Sequence, residues 1–157
     1  MSSKSAGILA FRTTHGKLEV LLVHPGGPLW RKKDLGAWSI PKGEYASGEN
    51  AEHVARREFQ EELGIELIKE LLPLGEVRQR GGKTVQAFAV ECDIDVEKIT
   101  SNTFEIEWAP RSGRRQAFPE IDCAEWFDLA VACIKINQAQ RTLLVVLLEE
   151  CWLQLAW

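Results

Sequence analysis

Residues 50–64, Asn-Ala-Glu-His-Val-Ala-Arg-Arg-Glu-Phe-Gln-Glu-Glu-Leu-Gly, constrain this chain more than any other stretch. At about 100° per residue on a helix, Ala51, Val54 and Ala55 share one angular sector with Glu58, Glu61 and Glu62, flanked by Phe59 and Leu63. Glu52, Arg56 and Gln60 fall opposite and read as the solvated face. Asn50 has the side chain of an N-cap, and Gly64 stands where a left-handed residue stops a helix, so the spacing predicts a helix over 51–63. Carboxylates three and four residues apart repel one another rather than stabilise a helix. Placed along the apolar stripe, they need a cation to stay ionised.

The preceding segment, Trp38 to Glu44, reads as a short strand running into a glycine loop. Glycine at 43 would let backbone carbonyls turn towards the carboxylates and let a phosphate approach closely. Ligation by oxygen alone suits Mg²⁺ or Mn²⁺ rather than zinc. Such ions clamp a phosphoanhydride, activate water and neutralise charge on the leaving phosphate. The chemistry expected is hydrolysis of a phosphoanhydride.

The pattern from Gly43 through Glu49, the Arg57-Glu58 pair, Phe59, the Glu61-Glu62 pair, Gly64 and Ile65 resembles the Nudix box at every fixed position. The lead-in Trp38-x-x-Pro41-Lys42-Gly43 is common in that family. The resemblance implies that Glu58, Glu61 and Glu62 bind metal together with the Gly43 carbonyl. It also implies that Arg57 orients the glutamates and that Glu49 braces the loop by pairing with Arg57. Over most of its length the chain is similar to predicted bacterial nucleoside triphosphate pyrophosphohydrolases of this superfamily. A more distant similarity, to diadenosine tetraphosphate hydrolases, rests on Gly82-Lys83-Thr84-Val85 opening a strand and on Glu120, six residues before Trp126 in a region that leads into a helix.

With 157 residues, 45% of them hydrophobic, the chain fits one domain over 1–157 with a substantial core. A net charge of -4 argues against nucleic acid as partner, since nonspecific binding needs a basic footprint. A small nucleotide remains compatible through local lysines. The polar Met1 to Ala6 lacks the apolar centre of a secretion signal, and the apolar run Leu143 to Leu148 is far below bilayer length. A cytoplasmic protein free of the membrane is therefore expected. Cys92, Cys123, Cys133 and Cys151 have no zinc-like spacing and read as reduced packing residues.

Ser5 to Phe11 and Lys17 to His24 read as strands joined by a turn at Thr13-Thr14-His15-Gly16. Leu71 to Arg80 and Thr84 to Asp93 read as a second pair, and Phe104 to Trp108 with Gln116 to Pro119 as a hairpin elaboration. From Asp128 the pattern turns helical, breaks near Asn137 and resumes from Arg141 to Leu155. The first of these helices is expected to cover the sheet opposite the 51–63 helix, giving a three-layer α/β/α sandwich of the Nudix type with a mixed β-sheet. Trp152, Leu153, Leu155 and Trp157 either complete the core or form a homodimer patch.

Catalysis is expected from Glu58, Glu61, Glu62 and Arg57, with either a box acid or Glu120 as the base. Lys42 and Lys83, with an arginine from 78, 80 or 114, are candidates to hold phosphates; each alone reads equally well as a surface charge. In the loop after Pro25, Trp30 with Lys32 or Lys33 reads either as a base-stacking and phosphate-binding pair or as a solvated loop. His24 is read as a turn residue, with substrate contact the lesser alternative. The best substrate reading is a nucleoside triphosphate or a dinucleoside polyphosphate. A diphosphoinositol polyphosphate phosphatase, using Arg31, Lys32, Lys33, Arg111, Arg114 and Arg115 as a basic rim, stays open, as do an oxidised-nucleotide sanitising pyrophosphatase and a noncatalytic nucleotide-sensing domain.

Overall fold

In the computed structural model, residues 3–155 are described, with side chains as far as Cys151. Strand β1 (Lys4–Thr14) is the axis of the sheet. It turns back into β2 (Lys17–Pro25) through His15 and Gly16, whose φ angles of 51° and 77° give the twist that suits a two-residue hairpin. Both strands outrun their expected ends. Along its other edge, β1 pairs in parallel with β5 (Thr84–Glu91) from Lys4 to Phe11. β2 pairs with β1 only between Phe11 and Thr14. The vacated edge from Lys4 to Gly7 is taken by β3 (Lys42–Tyr45). This fork in β1 is what brings the Lys42–Gly43 segment into the middle of the molecule.

β4 (Leu72–Arg78) adds to β5, and β8 (Ile121–Asp128) adds to β2, both antiparallel, giving the order β4-β5-β1-β2-β8. β6 (Thr103–Glu107) and β7 (Arg115–Pro119) form a separate two-stranded arm. Alternation along β1 and β2 feeds two cores. Ala6, Ile8, Ala10, Leu21 and Val23 meet Val54, Ala55, Phe59 and Leu63 of α1 (Ala51–Leu63). Leu9, Phe11, Val20 and Leu22 meet the opposite layer, built from α2 (Leu129–Lys135) and α3 (Arg141–Leu155). The sandwich is thus three-layered with a mixed sheet. The far layer rests chiefly on Leu143, Leu144 and Leu147 of α3, with Ala132 the buried residue of α2, so the later helix carries more of the cover than expected.

Two local readings are corrected. The segment expected to be a glycine loop is strand β3; Trp38 and Ser39 before it make only isolated bridges, to Ile136 and Val23. The region after Glu120 leads into α2 only by way of a strand not expected from the sequence, β8. Its buried residues Ile121, Ala124 and Phe127 recur every third position because a register shift opposite His24 and Pro25 reverses the alternation and both faces are covered. The expected core or dimer role of Trp152, Leu153, Leu155 and Trp157 concerns side chains outside the described residues.

Candidate active site

The α1 helix is held at both ends. Asn50 Oδ1 accepts from the His53 N–H at 3.1 Å, and Gly64, at φ 74°, donates its N–H to the Gln60 carbonyl at 2.7 Å. Its buried stripe runs through Val54, Ala55, Phe59, Glu62 and Leu63. Glu58 is nearly buried, its side chain 14% exposed. Glu61 sits at the edge of the stripe rather than in it. Arg56, expected on the solvated face, is partly covered and donates to the Leu67 carbonyl at 2.8 Å.

Gly43 faces this helix. A Cβ there would stand 2.0 Å from the Glu58 carboxyl carbon, so no larger residue fits beside that acid. Glycine is required at 43 for close approach, and its backbone is that of an ordinary strand. Glu62 Oε2 is buried and has no hydrogen-bond partner. Burial pushes the Glu62 carboxyl up to about 8; the Lys42 ammonium and main-chain N–H oppose this shift, and Glu58 and Glu120 add to it. Glu58 is raised by burial and then by Glu61, against Arg57 and Lys42. Glu120 is raised by burial and by Glu61. An orphaned buried oxygen among mutually repelling carboxylates is the donor set of a hard divalent cation, which would supply the missing partner. Among the described residues no group of three or more such side chains is arranged to hold a metal ion, so the fit rests on the chemistry of the donors and not on a formed cage. Arg57 stands between Glu49 and Glu58, 3.5 Å and 3.8 Å from their oxygens.

Glu120 links β7 to β8 and is clamped through its backbone. Its N–H donates to the Asn102 carbonyl and its carbonyl accepts from Gly26 N–H, each at 2.8 Å, while Asn102 N–H donates to the Glu61 carbonyl at 2.9 Å. The acid wall and Glu120 therefore share one frame, although 59 positions separate Glu61 from Glu120.

A cleft of about 340 Å³ is lined by Lys42, Glu62 and Glu120 together with Trp30, Val23 and Ile121. Gln79, Asn137 and Gln140 line it as well. Trp30 is 39% exposed, with the Lys33 ammonium 4.9 Å from its ring centroid. Lys32 is exposed on the outer loop and does not line the cleft. Lys83, 60% exposed and 4.0 Å from Glu44, lies in an adjoining cleft with Arg78 and Arg80; Gln79 and Asn137 line both. Gln79 and Gln140 had no signal in the sequence, because their partners lie 61 and 101 residues away.

His24 is buried and braces the Trp30 loop: Nδ1 meets Asp122 at 2.9 Å and Nε2 meets the Lys33 carbonyl at 2.6 Å. Trp38 Nε1 donates to Asp34 at 2.8 Å, and Lys135 also pairs with Asp34. His15 is in the first hairpin turn and His53 is exposed on α1. All four cysteines are free thiols, and burial with Asp122 pushes Cys123 up to about 12. No described helix is long and apolar enough to cross a membrane.

The sequence matches the NUDIX domain family over residues 1–147, and the chain belongs to that family. With its box acids intact it is a Nudix hydrolase acting on phosphoanhydride bonds. Members of the family generally use divalent metals. Among solved structures, the chain is similar to a C. elegans Ap4A hydrolase in a binary complex, at 22% identity and TM-score 0.64 over 95% of this chain and 97% of that one. It is also similar to the NUDIX domain of Shewanella oneidensis NrtR complexed with ADP ribose, at 16% identity and TM-score 0.66 over 96% and 89%. A third likeness is to the C-terminal domain of mouse MUTYH in complex with human PCNA, at 20% identity and TM-score 0.62 over 96% and 90%. No curated protein sequence matches the chain.

Proposed function

We propose that the protein is a magnesium-dependent pyrophosphohydrolase that cleaves a phosphoanhydride in a nucleoside triphosphate or a dinucleoside polyphosphate. The observation that carries this reading is the partnerless Glu62 oxygen beside a Glu58 for which Gly43 leaves just enough room. Glu58, Glu61 and Glu62, with the Gly43 carbonyl, would hold the cation; Mn²⁺ suits the same donors. When bound, the ion neutralises phosphate charge and acidifies water. Arg57, paired to Glu49, keeps Glu58 turned inward. Lys42 lines the cleft beside Glu62 and receives a phosphate next to the scissile bond. Glu120, clamped across the same cleft, accepts the proton of the attacking water at its carboxylate. The base packs on the face of Trp30 that Lys33 leaves uncovered, and Lys83 meets a phosphate further out.

The test is a product-resolved screen of the purified protein with Mg²⁺ against nucleoside triphosphates, dinucleoside polyphosphates, nucleotide sugars and diphosphoinositols. Turnover of a nucleotide substrate that is lost in Glu120→Gln at unchanged metal affinity supports the assignment. Turnover of diphosphoinositols alone would overturn it. Nucleotide binding without turnover would leave a sensing domain.

A further inference from the structure

The N–H of Ile40 lies in the segment between β2 and β3, outside any strand pairing. A buried N–H has to find a partner. Gln140, fully buried on the opposite layer, supplies it with Oε1 at 3.0 Å. That single bond fixes which end of the Gln140 amide points where. Its NH₂ group donates to Ser39 Oγ at 3.1 Å and to Gln79 Oε1 at 3.4 Å. Ser39 can only receive there, since its own hydrogen goes to the Ile40 carbonyl at 2.7 Å. The oxygen of Gln79 is thereby turned towards Gln140, and its NH₂ has no partner among the described residues. Asn137 is fixed independently. Its Oδ1 accepts from the Ala139 N–H at 2.9 Å, which leaves its NH₂ unpartnered as well. Both side chains are half-buried and line the cleft.

We propose that Gln79 and Asn137 form a donor-only wall that reads the substrate's base and selects a 6-oxopurine nucleotide over a 6-aminopurine one. The inference rests on the reading of the cleft as a nucleotide site and names the base that it takes. Each orientation follows from an obligatory backbone donor, Ile40 N–H in one case and Ala139 N–H in the other. Two NH₂ groups lining one cleft call for two acceptors on the base that enters it. A 6-oxopurine presents O6 and N7 there, whereas a 6-aminopurine presents N7 and an amino donor. A donor facing that amino group would leave both N–H groups desolvated and unpaired, the kind of mismatch that discriminates most strongly. Oxidation of guanine at C8 puts a hydrogen on N7 and removes one of the two acceptors, so the same wall also disfavours oxidised guanine.

The closing experiment has a binding arm and a turnover arm. Calorimetry of the metal-free protein compares GMP, IMP and AMP, and kcat/KM with Mg²⁺ compares GTP, ITP, ATP and 8-oxo-GTP. GMP and IMP should bind about tenfold more tightly than AMP, and turnover should rank in the same order with 8-oxo-GTP below GTP. Gln79→Glu and Asn137→Asp keep the internal acceptor contacts while replacing the outward donor by an acceptor. Each should erase the preference or reverse it towards AMP. Equal binding of GMP and AMP by the wild type, or a preference untouched in both variants, overturns the inference. Absence of turnover on every nucleotide with the GMP preference intact would instead sink the hydrolase reading and leave the base assignment standing.

Discussion

The two polar walls of the cleft are built on opposite principles. On α1, the carboxylates of Glu58 and Glu62 are buried without adequate partners, and Glu62 Oε2 has none at all. Across the cleft, the oxygens of Gln140, Gln79 and Asn137 are each answered by an internal donor. Buried and half-buried polar groups lining one cleft therefore mean different things. The acid wall lacks internal partners for its oxygens, whereas the amide wall has its oxygens satisfied internally and turns only its NH₂ groups outward.

The largest effect that would break this contrast is on turnover. Glu62→Gln keeps the shape and removes the charge, and should lower kcat by about three orders of magnitude with the melting temperature held or raised; near-normal turnover at saturating Mg²⁺ would sink the acid wall as a metal site. Gly43→Ala forces a methyl group against the Glu58 carboxyl. It should cost about a hundredfold in kcat/KM, on the order of an outer-sphere perturbation of a metal site, and weaken the Mg²⁺-induced rise in melting temperature.

Stability against pH sharpens the comparison next. The folded, metal-free chain holds the Glu62 proton up to about 8, against 4.5 for an ordinary glutamate. The folded state then binds more protons than the unfolded one between those values, so stability should fall as pH rises through that window, by up to roughly 1.4 kcal/mol per unit. Glu58, shifted the same way, adds to the slope. Thermal melts from pH 5 to 8 should show the decline without metal, a flatter profile with Mg²⁺, and a weaker decline in Glu62→Gln. On the amide side, Gln140→Leu strands the Ile40 N–H and should cost about 2 kcal/mol in denaturant unfolding at every pH; a pH-dependent loss would count against a neutral, satisfied wall. The smallest effect is at Lys83. Its truncation to Ala should lower kcat/KM about fivefold for diadenosine tetraphosphate and hardly at all for ADP-ribose, because an exposed cation gives one screened contact to a distant phosphate.

Legibility from sequence divides along the same line. The acid wall could be read because it is local: cap, stripe, acids and stop fall within 15 consecutive positions, 50–64, and helix geometry alone relates them. The first hairpin was legible for the same reason. β8 was not, because the register shift between His24 and Pro25 gives it a helical-looking period of three. Gly43 was recognised as necessary, but the reason for it, the Glu58 carboxyl pressed against its α-carbon, is a contact between a strand and a helix that no local pattern records. The amides were invisible, since Gln140 meets Gln79 and Ser39 only after the sheet has closed. Lys32 looked equivalent to its neighbours until the loop, braced by His24, turned it outward.

The clamp on Glu120 has a mechanical consequence. The β6–β7 arm is rooted at Asn102 and Pro119, and its root is bonded to the main chain of Glu61 on one side and of Glu120 on the other. Phe104, near the base of the arm, also lies against Gly27 at the start of the Trp30 loop. The arm is thus anchored through one residue, Asn102, to the backbone of both Glu61 and Glu120. Displacing its tip, around Ser112, would bear first on those two bonds.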